Sequence, residues 1–338
     1  MTPRQTMRVS VVATVRNEEG SIAQLLTSIA AQTRSPDEIV IADGGSSDRT
    51  VEIIHDYAGR GLPVRVVSAP GTNISQGRNR AIGAATGEVI ACTDAGVRLV
   101  PEWLEELTRP FEARREPINR LAPDESERSI PDVVSGFFAP DAQDLFETTM
   151  GATVLPQIED IKPDSFLPSS RSVAFSKAAW QKVGGYPEWL DYCEDLVFDL
   201  ALRRAGCQFV FAPKALAYFR PRSRLKSFFV QYCRYARGDG KADLWRKRYA
   251  IRYATYVAAP LAFLLGLRYN MVWYLLIVAA VAYCFRPYQR LWPRLPRWSI
   301  PDRLCALALV PVIRLVGDFA KMIGYPIGVW WRLHHEHE

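Results

Sequence analysis

The sequence predicts an α/β protein whose sheet is mostly parallel, with helices on both faces and a separate helical region at the C-terminal end. Three observations carry this prediction. Short β-branched runs alternate with amphipathic segments from Arg8 to Asp94, a pattern typical of repeated strand–helix units. Two strand-like runs are followed closely by an aspartate, Asp43 and Asp94. Beyond about Arg248 long stretches become apolar and almost uncharged.

The strand–helix alternation can be followed along the first ninety residues. Val9–Thr14 is a β-branched run and predicts a buried strand. Ser21–Gln32 carries apolar residues at helical spacing and predicts the first helix, with one face formed by Ile22, Leu25, Leu26 and Ile29. The same reasoning predicts strands at Glu38–Asp43, Val64–Ser68 and Glu88–Thr93, and helices at Asp48–Tyr57 (capped by Ser47 or Asp48) and Ser75–Ala85.

The rhythm then breaks and resumes. Residues 112–132 are polar and contain proline, so we expect a mobile surface insertion there. The pattern after it predicts, in order, a strand at Asp132–Ala139, a helix at Ala142–Thr153, a loop at Pro156–Ser170, helices at Ser176–Gly184 and Glu194–Ala205, and a strand at Cys207–Pro213. We assign residues 1–240 to this first domain.

The remaining residues, 241–338, are predicted to associate with a membrane. Ile251–Leu267 and Met271–Phe285 are apolar runs, each shorter than the roughly 20 residues of a full span. Together they predict a hairpin over residues 251–285. A pair of buried core helices, or a hairpin that only dips into the membrane, would give the same pattern.

Two further segments follow the hairpin. The linker 286–303 is basic and contains tryptophans, as expected at a cytoplasmic membrane surface. Segment 304–333 is apolar, yet Arg314, Asp318 and Lys321 fall on one helical face. We expect an interfacial helix that lies on the membrane, with a third span as the alternative.

Charge and the N-terminal residues narrow the partners and the location. The chain has 42 Lys and Arg against 36 Asp and Glu, a net charge of +6. Such a surplus suits nucleic acid, anionic lipid or phosphate-bearing ligands. No stripe of basic and aromatic residues resembles a nucleic-acid platform, so we expect phosphate and membrane-lipid partners and no nucleic acid. Because the N-terminus lacks a signal-peptide core, we place the first domain on the cytoplasmic side of the cell membrane. The oligomeric state is left open.

Acidic residues at strand ends predict a ligand site. Open α/β sheets bind ligands at the carboxyl ends of their strands. Asp43 precedes two glycines there, and Asp94 follows a later strand. Asp195, in the pair Glu194-Asp195, opens an amphipathic segment about a hundred residues later. Acids on separate elements can hold a charged donor and deprotonate an acceptor, which indicates an enzyme.

Four segments, in order, resemble the family 2 glycosyltransferases with the GT-A fold: TVRNEEGSIAQLLTSIAAQT, EIVIADGGSSDRT, GRNRAIGAATGEVIACTDAG and YCEDLVFDLALRRAG. The resemblance extends over residues 8–240. The segment QYCRYARG resembles the Gln-x-x-Arg-aromatic signature of membrane-bound members. The resemblance implies a Rossmann-like sheet and transfer of a sugar from a nucleotide-sugar donor, usually with inversion. We expect a UDP- or GDP-sugar and a membrane-proximal acceptor, such as a lipid-linked saccharide or polyprenyl phosphate.

The resemblance also implies roles for individual residues. Those expected to bind the donor are Thr14, Arg16, Glu18, Asp43, Arg78 and Asp94. Asp195 is expected to be the general base, with Glu194 tuning or orienting it. The candidates for the acceptor or the diphosphate are Trp189, Gln231, Arg234 and Tyr235. Ser170 or Arg171 could reach the donor sugar, without an assigned role.

One position departs from the family pattern. Asp94 matches the first acid of the Asp-x-Asp metal motif, but Gly96 replaces the second. We expect a divalent cofactor, Mg²⁺ or Mn²⁺, with Asp94 as a tentative ligand beside the phosphates. Alternatively, Asp94 holds the ribose while arginines replace the metal, or the site has lost activity.

Two other functions fit parts of the sequence. A nucleotidyltransferase on a similar sheet would keep the nucleoside pocket without needing Asp195 as a base. A non-catalytic membrane scaffold that binds nucleotide or a partner transferase would explain Gly96. A nucleotidyltransferase would attach a nucleotide, and not a sugar, to its product. A scaffold would show no turnover.

Overall fold

The computed structural model describes residues 7–113 and 130–335. The chain divides into two compact units, Met1–Ala139 with Gln157–Phe219, and Pro140–Pro156 with Arg220–Glu338. The second unit therefore takes segments on both sides of the first unit's last part, whereas the sequence placed a single boundary near residue 240. Most of the predicted insertion at 112–132 lies outside the described residues.

The first unit is built around one sheet. Its strands are β1 (Val9–Val15), β2 (Glu38–Asp43), β3 (Val64–Ser68), β4 (Val89–Cys92), β5 (Val97–Leu99), β6 (Val133–Pro140), β7 (Val173–Ser176) and β8 (Phe209–Phe219). Its helices are α1 (Ile22–Ala30), α2 (Thr50–Gly59), α3 (Ile74–Ala84), α4 (Trp103–Ala113), α6 (Lys177–Lys182) and α7 (Glu194–Arg204). Helix α5 (Leu145–Val154) belongs to the second unit.

The eight strands are ordered β3-β2-β1-β4-β7-β6-β8-β5. The four strands from β3 to β4 are parallel, because each is joined to the next by a helical crossover. Antiparallel pairs join β4 to β7, β7 to β6 and β5 to β8. The predicted α/β fold is confirmed. The parallel strands are the first four in the sequence, β1 to β4.

Helices cover both faces of this sheet. Alternate strand residues point to opposite faces, and the core separates accordingly. Val11 and Ile41 pack with α1 and α4 through Leu25 and Trp103. Val12, on the other face, lies in a cluster whose helical members come from α3, α6 and α7, namely Ala81, Ile82, Ala179, Phe198 and Leu202. The prediction of helices on both faces is therefore confirmed.

The register of the parallel strands fixes the edge where a ligand can bind. Val15 at the end of β1 lies beside Asp43 at the end of β2. Val12 lies beside Cys92, the last residue of β4. Asp94 therefore follows β4 at the same edge of the sheet that carries Thr14 and Asp43.

Several element boundaries differ from the predictions. Helix α2 begins at Thr50, because Asp48 accepts a hydrogen bond from the Thr50 N–H at 3.1 Å and holds the turn before it. Strand β8 continues past Pro213 to Phe219, and its last three residues pair with β5. Strands β5 and β7 and helix α4 were not predicted.

The second unit is helical. Besides α5 it contains α8 (Leu225–Lys241), α9 (Arg246–Gly266), α10 (Met271–Leu291) and α11 (Ile300–His335). Within the described residues, one continuous segment, Met271–Arg297, is long and apolar enough to cross a membrane, and it is largely exposed. Residues 267–270 separate α9 from α10, so the predicted pair of helices is present; its insertion in a membrane stays a prediction.

Helix α11 packs against other helices of its own unit. Gly324 and Gly328 allow close contact with α8, since a Cβ on either would lie 2.0 or 2.1 Å from the carbonyl oxygen of Cys233 or Arg237. Asp318 accepts a hydrogen bond from Arg252 of α9 at 2.8 Å. The charged face of α11 is thus partly covered by protein; whether α11 lies on a membrane or crosses it stays a prediction.

Candidate functional site

Asp43 closes a tight turn at the end of β2. Its carboxylate accepts hydrogen bonds from the Ser46 backbone N–H, at 3.1 Å, and from the Ser46 hydroxyl, at 2.6 Å. The side chain is largely buried. Because a carboxylate has about four acceptor sites, these bonds leave capacity for a ligand donor such as a ring N–H.

The loop after β1 is fastened to the turn after β2. Asn17 adopts a positive φ of 55°. Its backbone N–H donates to the Ser46 hydroxyl at 2.9 Å, and its side-chain oxygen accepts from the Ser47 N–H at 2.8 Å. Arg16, in the same loop, is exposed and lies beside Gly44. The loop therefore brings Arg16 to the Asp43 turn.

Glu18 is engaged locally. Its backbone N–H donates to Thr50 Oγ1 at 2.8 Å, and its carboxylate accepts from the Ser21 hydroxyl. The second contact lies at the start of α1, where a carboxylate is favoured by the helix dipole. Glu18 is half-buried. It lies in the loop after β1, and its hydrogen bonds also stabilise that loop.

Thr14 and α3 meet at the same edge. A Cβ on Gly77 would lie 3.1 Å from the Thr14 methyl carbon, so the glycine permits this approach. Asn73 caps α3 by accepting from the Gln76 N–H at 2.9 Å, and the Asn73 N–H in turn donates to the Gln76 side-chain oxygen at 3.1 Å. The capping box fixes where α3 begins, and with it the position of Arg78 one turn later.

Arg78 joins two acids from distant parts of the sequence. One guanidinium nitrogen, Nη2, donates to Asp94 Oδ1 at 2.8 Å, and the other, Nη1, donates to Glu194 Oε1 at 2.6 Å. The Arg78 side chain is 3% exposed, and its guanidinium lies 5.3 Å from the centre of the Tyr186 ring. This contact ties the end of β4 to the first turn of α7.

The two acids respond differently to this environment. Burial opposes ionisation of Asp94, but Arg78 and Arg171 hold the pKa of its carboxyl below the ordinary value. Burial raises the pKa of Glu194 to about 7; Arg78 opposes that shift and the charge of Asp195 adds to it. Asp94 is therefore a stable anion, whereas Glu194 titrates near neutral pH.

Asp195 opens α7 beside this contact. Its carboxylate accepts a hydrogen bond from the Leu196 N–H at 2.8 Å, and the side chain is half-buried. Cys193, the residue just before α7, has a positive φ of 65°, which is uncommon for a residue with a side chain. The sharp entry into α7 turns Glu194 towards Arg78.

Arg171 is the second cation beside Asp94. Its Nε lies 3.6 Å from Asp94 Oδ2, and its Nη1 donates to the Ser169 hydroxyl at 3.1 Å. The guanidinium carbon lies 4.8 Å from the centre of the Phe219 ring. Ser170, by contrast, is buried and hydrogen-bonds the Tyr186 hydroxyl at 3.0 Å.

Trp189 is exposed on a loop that is fixed on both sides. The Asn73 side chain donates to the Glu188 carbonyl at 2.7 Å, and the Ser75 hydroxyl donates to the Leu190 carbonyl at 3.0 Å. Asn79 donates to the Tyr186 carbonyl at 2.8 Å. Trp189 thus presents 47% of its surface from a rigid loop, at the rim of a cavity of about 350 Å³ lined in part by α7.

The other acceptor candidates lie on α8, in the second unit. The Gln231 side chain donates to the Tyr235 hydroxyl at 2.8 Å, and Tyr235 packs against Tyr232. Arg234 lies on the same helix.

The residues present do not fit a metal centre built from protein ligands. In residues 7–113 and 130–335, no group of three His, Cys, Asp or Glu side chains is placed to hold a metal. Asp94 supplies one carboxylate, already shared by two guanidinium groups, and Gly96 supplies none. No step described below is assigned to a metal.

Sequence reasoning missed the residues that position this site. Asn73, Ser75 and Asn79 fasten the Trp189 loop. Their only signal was a run of small polar residues around Arg78, which reads equally well as a helix start. Arg171 was noticed but not assigned, because nothing local distinguishes it from a surface arginine.

Comparison with protein-family models gives two matches. The model described as Glycosyl transferase family 2 matches residues 10–123, and the model described as Glycosyl transferase family group 2 matches residues 144–316, just over half of the chain.

Curated relatives match over about a third of this chain. The uncharacterised glycosyltransferase EpsJ of Bacillus subtilis is 33% identical over 104 residues, 31% of this chain and 30% of that protein. The undecaprenyl-phosphate 4-deoxy-4-formamido-L-arabinose transferase of Pectobacterium carotovorum is 36% identical over 29% of this chain and 32% of its own. The dodecaprenyl-phosphate galacturonate synthase of Rhizobium johnstonii is 30% identical over 33% of this chain and 35% of its own. The matches span about a third of these relatives.

Solved structures extend the likeness over the whole chain. A mannosyltransferase from Pyrobaculum calidifontis, in complex with GDP-Man and Mn²⁺, has a TM-score of 0.55 at 18% identity and covers 99% of this chain and 89% of its own. Staphylococcus aureus TarS has a TM-score of 0.50 at 18% identity, covering 97% and 92%. At such identities the likeness shows a shared fold.

Proposed function

The chain belongs to the family 2 glycosyltransferases, and on that premise we propose that it moves a sugar from a nucleotide-diphosphate donor to a membrane-proximal acceptor with inversion at the anomeric carbon. One observation carries the proposal. Arg78 bonds Asp94 and Glu194 at 2.8 and 2.6 Å. The acid at the sheet edge and the acid pair that opens α7 therefore lie in one site.

The donor occupies the carboxyl edge of β1, β2 and β4 in this proposal. Asp43 accepts a ring N–H of uracil or guanine, while Thr14, Arg16 and Glu18 line the nucleoside pocket. The diphosphate then lies near Asp94, where the local cations are Arg78 and Arg171. A UDP- or GDP-sugar meets these requirements, because both bases carry a ring N–H that a carboxylate can accept.

Asp195 acts as the general base when the acceptor is a hydroxyl. The acceptor oxygen attacks the anomeric carbon as its proton passes to Asp195, and the bond between that carbon and the phosphate oxygen breaks, releasing the nucleoside diphosphate. Glu194 and Arg78 position Asp195 through the first turn of α7. Trp189 offers an aromatic face on which a sugar ring can stack.

The identity of the acceptor decides how much this base matters. A phosphate oxygen of a polyprenyl phosphate is already ionised at neutral pH, so it needs no proton removed. A saccharide hydroxyl does. The effect of an Asp195 variant on transfer therefore distinguishes a saccharide hydroxyl from a polyprenyl phosphate, the class that two relatives' names suggest.

Membrane association is the second part of the proposal. The helical segment Met271–Arg297 is long and apolar enough to cross a bilayer, and its neighbour α9 also exposes Leu261 and Leu264. The basic linker after α10 suits a cytoplasmic surface. We place the first unit on that side, with Gln231, Arg234 and Tyr235 serving the acceptor or the diphosphate, and cell-envelope polysaccharide synthesis as the setting.

Nucleotide binding tests the proposal directly. UDP, GDP and CMP are titrated calorimetrically into the purified full chain, into Asp43→Ala and into Asp56→Ala, a control on the exposed face of α2. Selective binding of UDP or GDP that is lost in Asp43→Ala and kept in Asp56→Ala supports the donor site. Absence of binding for all three nucleotides contradicts it and favours a scaffold.

A further inference from the structure

The guanidinium groups of two arginines lie beside Asp94, and only one of them is accessible to solvent. Arg78 is 3% exposed and bonded to both Asp94 and Glu194. Arg171 is 24% exposed, and its Nε lies 3.6 Å from Asp94 Oδ2, beyond hydrogen-bond length. Arg171 is therefore the more accessible of the two cations beside Asp94.

The missing second acid is not forced by packing. A Cβ at Gly96 would meet no atom within 4 Å, and the residue has no positive φ that would demand glycine. Gly96 is also exposed. An aspartate would fit, so its absence changes the charge of the site and nothing else that the described residues reveal.

The charges of the site can be added directly. Arg78 and Arg171 balance Asp94 and Glu194, so the four groups are neutral when all are ionised. Introducing aspartate at position 96 and removing the Arg171 charge would make the site more negative by two units, the amount that one divalent cation restores. The guanidinium and the glycine together can therefore stand in for such an ion.

Geometry also favours this role for Arg171. Its guanidinium is held against the Phe219 ring at 4.8 Å and by the Ser169 hydroxyl at 3.1 Å. Stacking fixes the plane of the fork, and a fixed fork suits two oxygens of a phosphate.

We propose that Arg171 contacts the donor diphosphate and supplies, beside Asp94, the positive charge that a divalent ion would otherwise provide there. The proposal rests on the proposed function, since it concerns the same donor. It assigns donor binding that is independent of metal, and it makes Arg171 a substrate-contacting residue.

A charge-swap series tests this assignment by calorimetric titration of the nucleotide that the wild type prefers, in EDTA and in Mn²⁺. The variants are Arg171→Gln, Arg171→Lys, Gly96→Asp and the double variant Gly96→Asp with Arg171→Gln. Arg60→Gln is the control, because that arginine also lies over an aromatic ring, 5.4 Å from the centre of Tyr57, at the end of α2. Thermal midpoints confirm that each variant is folded.

The expected pattern has three parts. Wild type and Arg60→Gln bind equally well in EDTA and Mn²⁺. Arg171→Gln weakens binding in EDTA by about 10- to 100-fold, the loss expected for charge-assisted hydrogen bonds, and Arg171→Lys loses less. The double variant binds in Mn²⁺ and not in EDTA.

Two outcomes overturn the proposal and are distinguishable. If EDTA abolishes binding to the wild type while Arg171→Gln binds as the wild type does, a metal and not Arg171 holds the diphosphate, and the donor site itself stands. If the wild type binds no nucleotide under either condition, the proposed function fails together with this assignment.

Discussion

Each unit of the molecule contains a cluster of opposite charges, and the two clusters differ in how completely they are satisfied. In the helical unit, Asp318 accepts hydrogen bonds from Arg252 at 2.8 Å, Tyr283 at 2.6 Å and Tyr256 at 3.1 Å. Both carboxylate oxygens are occupied by groups from α9 and α10. The cluster joins three helices, and its bonds are complete without a ligand.

The cluster around Arg78 is less complete. Among the described side chains, Arg78 Nε is buried without a hydrogen-bond partner, and Asp94 Oδ2 meets Arg171 only at 3.6 Å. Buried polar atoms are usually paired. A buried ion pair alone thus does not identify a ligand site. The Arg78 cluster indicates one because it lies at the carboxyl edge of parallel strands and its hydrogen bonds are incomplete.

The largest expected effect is on chemistry in the first unit. Asp195→Asn keeps the shape of the side chain and removes the proposed base, so transfer to a hydroxyl acceptor should fall by about 10²- to 10⁴-fold, with nucleotide affinity unchanged. Steady-state rates and calorimetry on the same preparation measure both. The control is Glu52→Gln, which removes an exposed acid on α2; equal rates for Asp195→Asn and this control would remove Asp195 from the mechanism, or identify a phosphate acceptor.

Removing Arg78 should affect stability as well as activity. Arg78→Ala leaves Asp94 and Glu194 without their shared cation, and breaking one partner of a buried pair costs about 3–5 kcal/mol. Chemical denaturation followed by near-ultraviolet circular dichroism measures the loss. A change below about 1 kcal/mol would mean that water replaces the guanidinium, and that the cluster is more open than the structure indicates.

The pH dependence of the transfer rate should reveal the protonation of Glu194. Because the pKa of this carboxyl is raised to about 7, lowering the pH through 7 protonates it and weakens its bond to Arg78, so the transfer rate should decrease. Glu194→Gln should remove that inflection from a profile measured between pH 5.5 and 8.5. An inflection that persists in the variant belongs to another group.

Stability follows the opposite direction over that range. The folded pKa of Glu194 lies above its unfolded value, so the folded state binds more protons between the two values. Its contribution to stability therefore increases as the pH falls from about 7 towards 4.5. A rate that decreases while the thermal midpoint holds separates titration of the site from unfolding.

The smallest of these effects is expected in the cluster around Asp318 in the helical unit. Asp318→Asn keeps hydrogen-bonding atoms but removes the charge opposite Arg252, and should cost about 1–3 kcal/mol of stability with nucleotide binding unchanged. Thermal unfolding in detergent and a UDP titration measure the two quantities. Lost nucleotide affinity in a variant that remains folded would show that the helical cluster also serves the donor.

Sequence reasoning located the first unit well where periodicity is strong. Strands β2 and β3 match their predicted bounds, because runs of apolar residues mark buried strands. It missed β5, which is three residues long and contains Arg98, and α4, whose pattern contains Pro110. Short or interrupted elements are fixed by their tertiary neighbours, which local patterns do not record.

The candidate site shows the same division. Asp43 and Asp94 were found because they follow strands. That Arg78 would bond Glu194, 116 positions away, could not be read from spacing. The sequence suggested that Arg78 binds the donor, which stays a prediction. The structure shows that Arg78 is 3% exposed and bonded to Asp94, whereas Arg171 is 24% exposed.

Product analysis tests the central proposal most directly. The purified chain is incubated with the nucleotide sugar it binds and with membrane lipid extract, and the products are separated and identified by mass spectrometry and anomeric configuration. We expect an acceptor that has gained one sugar in inverted configuration, with an equal amount of nucleoside diphosphate released. A nucleotide attached to the acceptor, or bound donor that is never consumed, would contradict sugar transfer.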